Sequence, residues 1–260
     1  MDILTSKTNS ILTIEFNRPD RKNAITAAMY QTMANALADA ENDHGVRAIL
    51  IVGKPDIFTA GNDLEDFLKN APRDGSSAGA ESLPVYSFMR ALSDASKPVV
   101  AAVAGNAIGI GTTLLMHCDL VYAADNAKFA MPFSQLGLCP EFASSLLFPQ
   151  IVGYPRAAEK LLLGEAFSAQ EAYQMGMISK VLPLDELLPY ALRQAAKLVA
   201  LPAASIRTTK HLMKRAGASA VDAAMAAELT QFSAMLQAPE AKEAFTAFFE
   251  KRKPDFSKFS

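Results

Sequence analysis

Two runs constrain this chain more than any other feature. Ala48-Ile49-Leu50-Ile51-Val52 and Val99-Val100-Ala101-Ala102-Val103 are continuous apolar segments of strand length. Neither alternates with polar residues. Each therefore suits a strand covered on both faces, as in a parallel sheet flanked by helices. The segments around them fit that frame. Ile11 to Phe16 is a short β-branched run that stops at the turn signal Asn17-Arg18-Pro19-Asp20. Thr26 is placed to cap a helix whose Met29, Met33, Leu37 and Ala40 share one face. A second helix is predicted over Leu83 to Ser93, and a further strand over Asp119 to Ala123. Strands alternating with helices imply an α/β core. Beyond Gly153 the pattern becomes alanine-rich helix, with Ser168 and Glu171 spaced as a capping box.

Composition removes several classes of function. Half of the 260 residues are hydrophobic and the formal net charge is -2, which fits a packed domain rather than a disordered chain. Near neutrality gives no basic footprint for nucleic acid. Two cysteines, Cys118 and Cys139, cannot make a disulfide framework. The longest apolar stretch, Pro98 to Leu115, is broken by Gly105, Asn106, Gly109, Gly111, Thr112 and Thr113. It reads as a buried strand, a tight turn and a buried helix rather than a membrane span. Met1 to Lys7 does not read as a signal peptide, and Ser257 to Ser260 is not the peroxisomal Ser-Lys-Leu address. The expectation is a soluble cytoplasmic protein. The stretch from Lys69 to Ala80, with Pro72, Gly75 and Gly79, is expected to be a flexible loop.

Few residues suggest chemistry. His44, His117 and His211 are scattered, so no metal site is expected. There is no G-x-S-x-G elbow for a serine nucleophile. Gly105 to Gly111 is predicted to be a glycine-bearing turn between a strand and a helix starting at Thr112. Its spacing is not that of a dinucleotide loop. Backbone N–H groups exposed there would suit an oxyanion as well as a phosphate. Glu141 is the only charged residue between Ala130 and Tyr154. If buried, its carboxyl would be a weaker acid and a better base. An acid next to Pro140 at a helix N-terminus is the plainer alternative, and the residues alone leave both open.

Six segments together resemble the enoyl-CoA hydratase/isomerase (crotonase) superfamily over nearly the whole chain. They are Asn17-Arg18-Pro19 with Lys22-Asn23-Ala24; Phe58 to Leu64; Lys97 to Gly105 running into Gly109-Ile110-Gly111; Cys118 to Ala123; Gly176 to Val181; and Lys251 to Pro254. The resemblance implies a spiral of ββα units with a C-terminal helical trimerisation region. Residues 1–200 would form the acyl-CoA-binding core. Residues 201–260 would pack on that core and on neighbouring subunits, giving a homotrimer or a hexamer. It also implies an acyl-CoA thioester as substrate, with coenzyme A as part of it, and neither a further cofactor nor a nucleic-acid partner.

The resemblance carries the site residue by residue. The oxyanion hole would be the backbone N–H groups of Asn62 and Ile110, the second being glycine in most relatives. Lys22 would approach the CoA phosphates and Ala24 and Ala60 the adenine, with Gly61, Asp63 and Leu64 beside them. Phe133, Leu138 and Phe142 would shape the acyl pocket. Hydratases carry glutamates at the positions of Thr113 and Phe133, and both are absent here. Glu141 matches the single catalytic glutamate of Δ3,Δ2-enoyl-CoA isomerases, closest to the peroxisomal type. The expected activity is therefore isomerisation of 3-enoyl-CoA to 2-trans-enoyl-CoA, as in oxidation of unsaturated fatty acids. Two alternatives remain. One is other thioester chemistry, such as hydration, hydrolysis or a dehalogenase-like reaction, although the dehalogenase Trp and His are replaced by Phe133 and Ser134. The other is a non-catalytic acyl-CoA- or RNA-binding role.

Overall fold

The computed structural model describes residues 1–70 and 79–259. The chain opens with strands β1 (Ile3–Thr8) and β2 (Ile11–Phe16), then helix α1 (Ala27–Asn42). The Thr26 hydroxyl accepts the Met29 N–H at 3.3 Å, so the expected cap is present. Three similar passes follow. The first is β3 (Ala48–Val52), β4 (Ile57–Thr59) and α2 (Leu64–Asn70), with α3 (Pro84–Ser93) appended. The second is β5 (Val99–Val103), β6 (Asn106–Ile108) and α4 (Ile110–Thr113). The third is β7 (Leu120–Ala124), β8 (Lys128–Ala130) and α5 (Ser144–Val152). Then come α6 (Tyr154–Leu163), β9 (Phe167–Ser168), α7 (Ala169–Gln174), β10 (Lys180–Leu182) and α8 (Leu184–Ala200). Helices α9 (Ala203–Arg215), α10 (Ala218–Leu236) and α11 (Pro239–Phe249) end the chain.

Each pass lays one strand in each of two sheets. The larger sheet has the order β1-β2-β3-β5-β7-β10, and the smaller β4-β6-β8-β9. Apart from β1 against β2 and β8 against β9, all pairings are parallel. A strand in one sheet, a strand in the other and a helix make one ββα turn of the spiral.

The two apolar runs behave as their composition demands. Ile49, Ile51, Val99, Ala101 and Val103 join the main core with Met29, Met33 and Leu37 of α1. Leu50, Val52, Val100 and Ala102 form a second cluster with Leu187, Ala191 and Ala195 of α8. With helices on both faces no strand position needs to be polar, which explains the missing alternation. Burying each large aliphatic side chain contributes about 1.5–3 kcal/mol, so these strands anchor everything attached to their ends.

The C-terminal helices are tied down by charge as well as packing. Lys210 of α9 is buried, donates to the Lys97 carbonyl at 2.8 Å and pairs with Asp119 at 2.7 Å. The same Asp119 oxygen accepts the Val99 N–H at 2.7 Å, so the pair ties α9 to the start of β5.

The structure corrects four local expectations. Phe58 and Thr59, read as the start of a loop, belong to β4 and are fully buried. The turn expected from Gly105 to Gly111 holds strand β6. The helix expected from Thr112 begins earlier, at Ile110, and becomes a 3-10 turn over Leu114–His117. Strand β7 starts at Leu120 rather than Asp119, whose side chain is engaged in the ion pair instead. Of the loop expected from Lys69 to Ala80, residues 71–78 lie outside the described residues. Among the described residues, no helix is long and apolar enough to cross a membrane.

Candidate active site

The site lies where β4 and β6 end. These strands are parallel neighbours, paired through Ile57 with Asn106 and Thr59 with Ala107. The backbone leaving each one therefore emerges at the same edge. Two glycines shape the exits. Gly61 has φ +86°, and a Cβ there would stand 2.8 Å from the Ile108 carbonyl oxygen. Gly109 has φ +57° and ψ -120°, a conformation closed to other L-residues. The next residue in each case is a predicted oxyanion donor. Among the described residues, neither the Asn62 N–H nor the Ile110 N–H meets an acceptor in the protein. Ile110 is the first residue of α4, where an N–H has no partner within the helix. Its Cβ is accommodated, since the side chain is buried in the main core.

The segment from Arg18 to Ala24 is stapled across this edge. The buried Asn23 amide donates to the carbonyls of Ile57 and Phe58 at 3.1 and 3.0 Å. The Thr59 hydroxyl donates to the Asn23 carbonyl at 2.6 Å, and the Ala60 N–H to the Lys22 carbonyl at 3.0 Å. Arg18 pairs with Asp63 at 2.8 Å. Burial opposes ionisation of Asp63, but Arg18 and the Asp66 N–H outweigh it and hold the carboxyl below the usual range. Asp63 also caps α2 by accepting the Asp66 N–H at 3.2 Å. Lys22 is exposed, Ala24, Ala60 and Leu64 are half-buried, and Gly61 is buried. The predicted CoA-side residues are thus contiguous around one exit.

Glu141 approaches from the third pass. It is buried, and the Thr113 hydroxyl of α4 donates to its Oε1 at 2.5 Å. Desolvation pushes its pKa up to about 8, against the pull of the Thr113 bond and with a further push from Glu228. Thr113 stands at the position where hydratases carry an acid, and here it supports Glu141. Glu141 and Asn62 line one cavity of about 110 Å³, walled mostly by apolar side chains of α1, α2, α3 and α10, among them Phe67, Met89, Met225 and Phe232. Among the described residues, no group of three or more His, Cys, Asp or Glu could hold a metal ion.

The turn after Glu141 is strained. Phe142 and Ala143 both have positive φ, +60° and +55°, and neither is glycine. Such positions cost roughly 1–3 kcal/mol each and persist only where neighbours hold them. Two groups do. The His117 ring stacks on Phe142 at 3.8 Å between centroids, and its Nε2–H donates to the Phe142 carbonyl at 2.8 Å. Burial pushes the His117 pKa down to about 3, so the ring is neutral. Glu228 of α10 accepts the Ala143 N–H at 2.6 Å, the Ser145 N–H at 2.9 Å and the Ser145 hydroxyl at 2.5 Å. Burial raises the pKa of Glu228 as well, with these three donors pulling against it.

Of the three predicted pocket residues, only Phe142 lines the cavity. Phe133 and Leu138, like Phe142, belong to the main core. Phe133 opens a 3-10 turn over Ser134–Leu136, and its carbonyl accepts the N–H groups of Leu136 and Leu138.

Two site residues escaped sequence reasoning. Tyr30 looks like one more core residue of α1, yet its hydroxyl donates to Asn62 Oδ1 at 2.5 Å. Burial, then the neighbouring Glu141, raises its pKa well above the tyrosine norm, so it remains a donor. Glu228 carried the same signal as Glu141: it is the sole charge between Asp222 and Glu240.

Two spare N–H donors at the exits of β4 and β6, and a buried acid that shares an apolar cavity with one of them, Asn62, suit carbonyl activation and proton transfer. Comparison with known proteins agrees. The chain belongs to the enoyl-CoA hydratase/isomerase family, whose model matches residues 6–258. It is 36% identical over 252 residues to enoyl-CoA delta isomerase 2 of Rattus norvegicus, covering 97% of this chain and 64% of that protein. It is 31% identical over 256 residues to 2,3-dehydroadipyl-CoA hydratase of Escherichia coli, covering 98% of both. A crystal structure of an enoyl-CoA hydratase/isomerase from Pseudoalteromonas atlantica superposes with a TM-score of 0.92 at 37% identity, covering 99% of this chain and 100% of that one.

Proposed function

We propose that this protein converts 3-enoyl-CoA to 2-trans-enoyl-CoA by a proton shuttle on Glu141. The carrying observation is one buried acid, with its pKa raised to about 8, beside two backbone donors without acceptors. The Asn62 and Ile110 N–H groups hold the thioester oxygen. Ionised Glu141 removes a proton from C2. The C–H electron pair enters the thioester carbonyl and gives a dienolate whose oxygen carries the charge. The carbonyl then re-forms, the double bond moves to C2=C3, and C4 takes the proton back from Glu141. Charge stabilisation by such donors usually contributes most of the rate enhancement, with about 3–4 kcal/mol lost per donor removed. The apolar wall excludes water that would compete for the dienolate. No cofactor enters the balance, since CoA is part of the substrate.

Hydration of a 2-enoyl thioester needs a second acid free to handle water. Glu228 and Asp66 are the other acids lining the cavity. The three partners of Glu228 are all donors that occupy its oxygens, and Asp66 accepts the Ala27 N–H at 2.7 Å. We take the protein to act as a cytoplasmic homotrimer or hexamer without nucleic-acid partners. Incubation with 3-enoyl-CoA and, separately, with 2-enoyl-CoA separates the reactions. We expect the conjugated 2-enoyl thioester to accumulate from the first and at least about tenfold slower hydration of the second. Hydration at a comparable rate would contradict the assignment.

A further inference from the structure

We propose that Glu228 is a positioning residue for Glu141: with His117 it clamps the left-handed Phe142–Ala143 turn that presents the base to the substrate. The proposal deepens the isomerase reading and rests on it for the identity of the base. Its ground is geometric. Two consecutive non-glycine residues with positive φ directly follow Glu141. Relaxation of either would swing the carboxyl away from Thr113 and from the edge that carries Asn62. Glu228 blocks this from one side by holding the N–H groups on both flanks of Ser144. His117 blocks it from the other through the Phe142 carbonyl and ring. The clamp also explains how the C-terminal helical region enters the site, since α10 carries Glu228 together with Met225, Leu229 and Phe232 of the cavity wall.

The same residue has an electrostatic effect. Burial raises the pKa of Glu228 and its three donors pull it back towards the charged form; that charge in turn raises the pKa of Glu141. Other titratable groups facing Glu141 or its cavity are Tyr30 of α1, Asp66 of α2, Tyr86 of α3 and, in its own loop, Cys139; His117 packs behind through Phe142. Burial pushes Cys139 up to about 11, and Tyr30 and Tyr86 are also raised, while His117 at about 3 is neutral. Asp66 is engaged with the Ala27 N–H at 2.7 Å. Glu228 is the neighbouring acid whose charge raises the Glu141 midpoint.

The test uses the full-length protein with 13C-labelled glutamate, the Glu141 resonance being assigned from its loss in Glu141→Gln. In Glu228→Gln the ionisation midpoint of Glu141 should move to lower pH. At saturating alkaline pH its kcat for 3-enoyl-CoA should fall about tenfold with KM little changed, as misplacement of a catalytic group produces. Ser145→Ala removes one clamp contact and keeps the charge, so the midpoint should stay while kcat falls severalfold. An unmoved midpoint and an unchanged kcat in Glu228→Gln would overturn the proposal. Should that variant not fold, an unchanged kcat in Ser145→Ala would do so alone. The titration needs no turnover. A wild-type protein inactive on 3-enoyl-CoA would therefore overturn the isomerase reading separately from the coupling.

Discussion

The proposed reaction rests on one carboxyl, that of Glu141, and its buried environment has two measurable consequences. The first concerns rate. A base must be ionised, and kcat/KM reports the free enzyme, so it should climb with pH and level off above about 8. A kcat/KM profile flat from about pH 5 to about pH 9 would show that the acid is not desolvated. The second concerns stability. An acid whose folded pKa exceeds its unfolded value stabilises the fold at low pH, and that contribution is lost as pH rises through the folded pKa. The window here runs from about 4.5 to about 8. Glu141→Gln should therefore melt close to wild type at about pH 5 and above it at about pH 9, as seen by differential scanning fluorimetry. A site built for function is commonly relieved in this way when its strained charge is removed.

At the scale of elements, legibility followed strand length. Ala48–Val52 and Val99–Val103 are five-residue apolar runs, and β3 and β5 occupy those residues. The strands β4, β6, β8 and β10 have three residues each and β9 has two, too short for any period to be read. The smaller sheet was thus invisible, although its β4 and β6 lead into both candidate oxyanion donors. Capping chemistry was more legible: Ser168 and Glu171 form the reciprocal box expected from their spacing. A charge standing alone in an apolar stretch marked Glu141 as a candidate, with its role left open, and the structure shows that it is buried. The site was not legible where a residue acts from a distant helix, as Glu228 does, because only the packing of α10 on α5 joins them. The buried pair of Lys210 with Asp119 makes a further prediction for α9. Asp119→Asn leaves the ammonium without its counter-charge, which typically costs about 3–5 kcal/mol. Urea unfolding should show that loss in the midpoint at unchanged slope, and a loss below about 1 kcal/mol would mean the pair is solvated in solution.

In the whole molecule, the two ends of the chain supply different parts of the site. The spiral supplies the backbone N–H groups where β4 and β6 of the smaller sheet end. The C-terminal helices supply much of the apolar wall and the clamp on the base. The scarcity of bulky aromatics, 8% of residues with no Trp, is consistent with this arrangement. Small residues let Gly61 lie against Ile108, while three of the 15 phenylalanines, Phe67, Phe142 and Phe232, line the cavity. Sheet, turn and C-terminal helix all converge on the Glu141 carboxyl, to which the proposed reaction gives the transfer of a proton from C2 to C4. The most direct measurement is the steady-state rate of 2-enoyl-CoA formation from 3-enoyl-CoA by wild type and by Glu141→Gln at about pH 8.5, where the base is largely ionised. A fall in kcat of about 10²–10⁴-fold, with the variant folded, is the predicted result, and undiminished turnover by Glu141→Gln would contradict it.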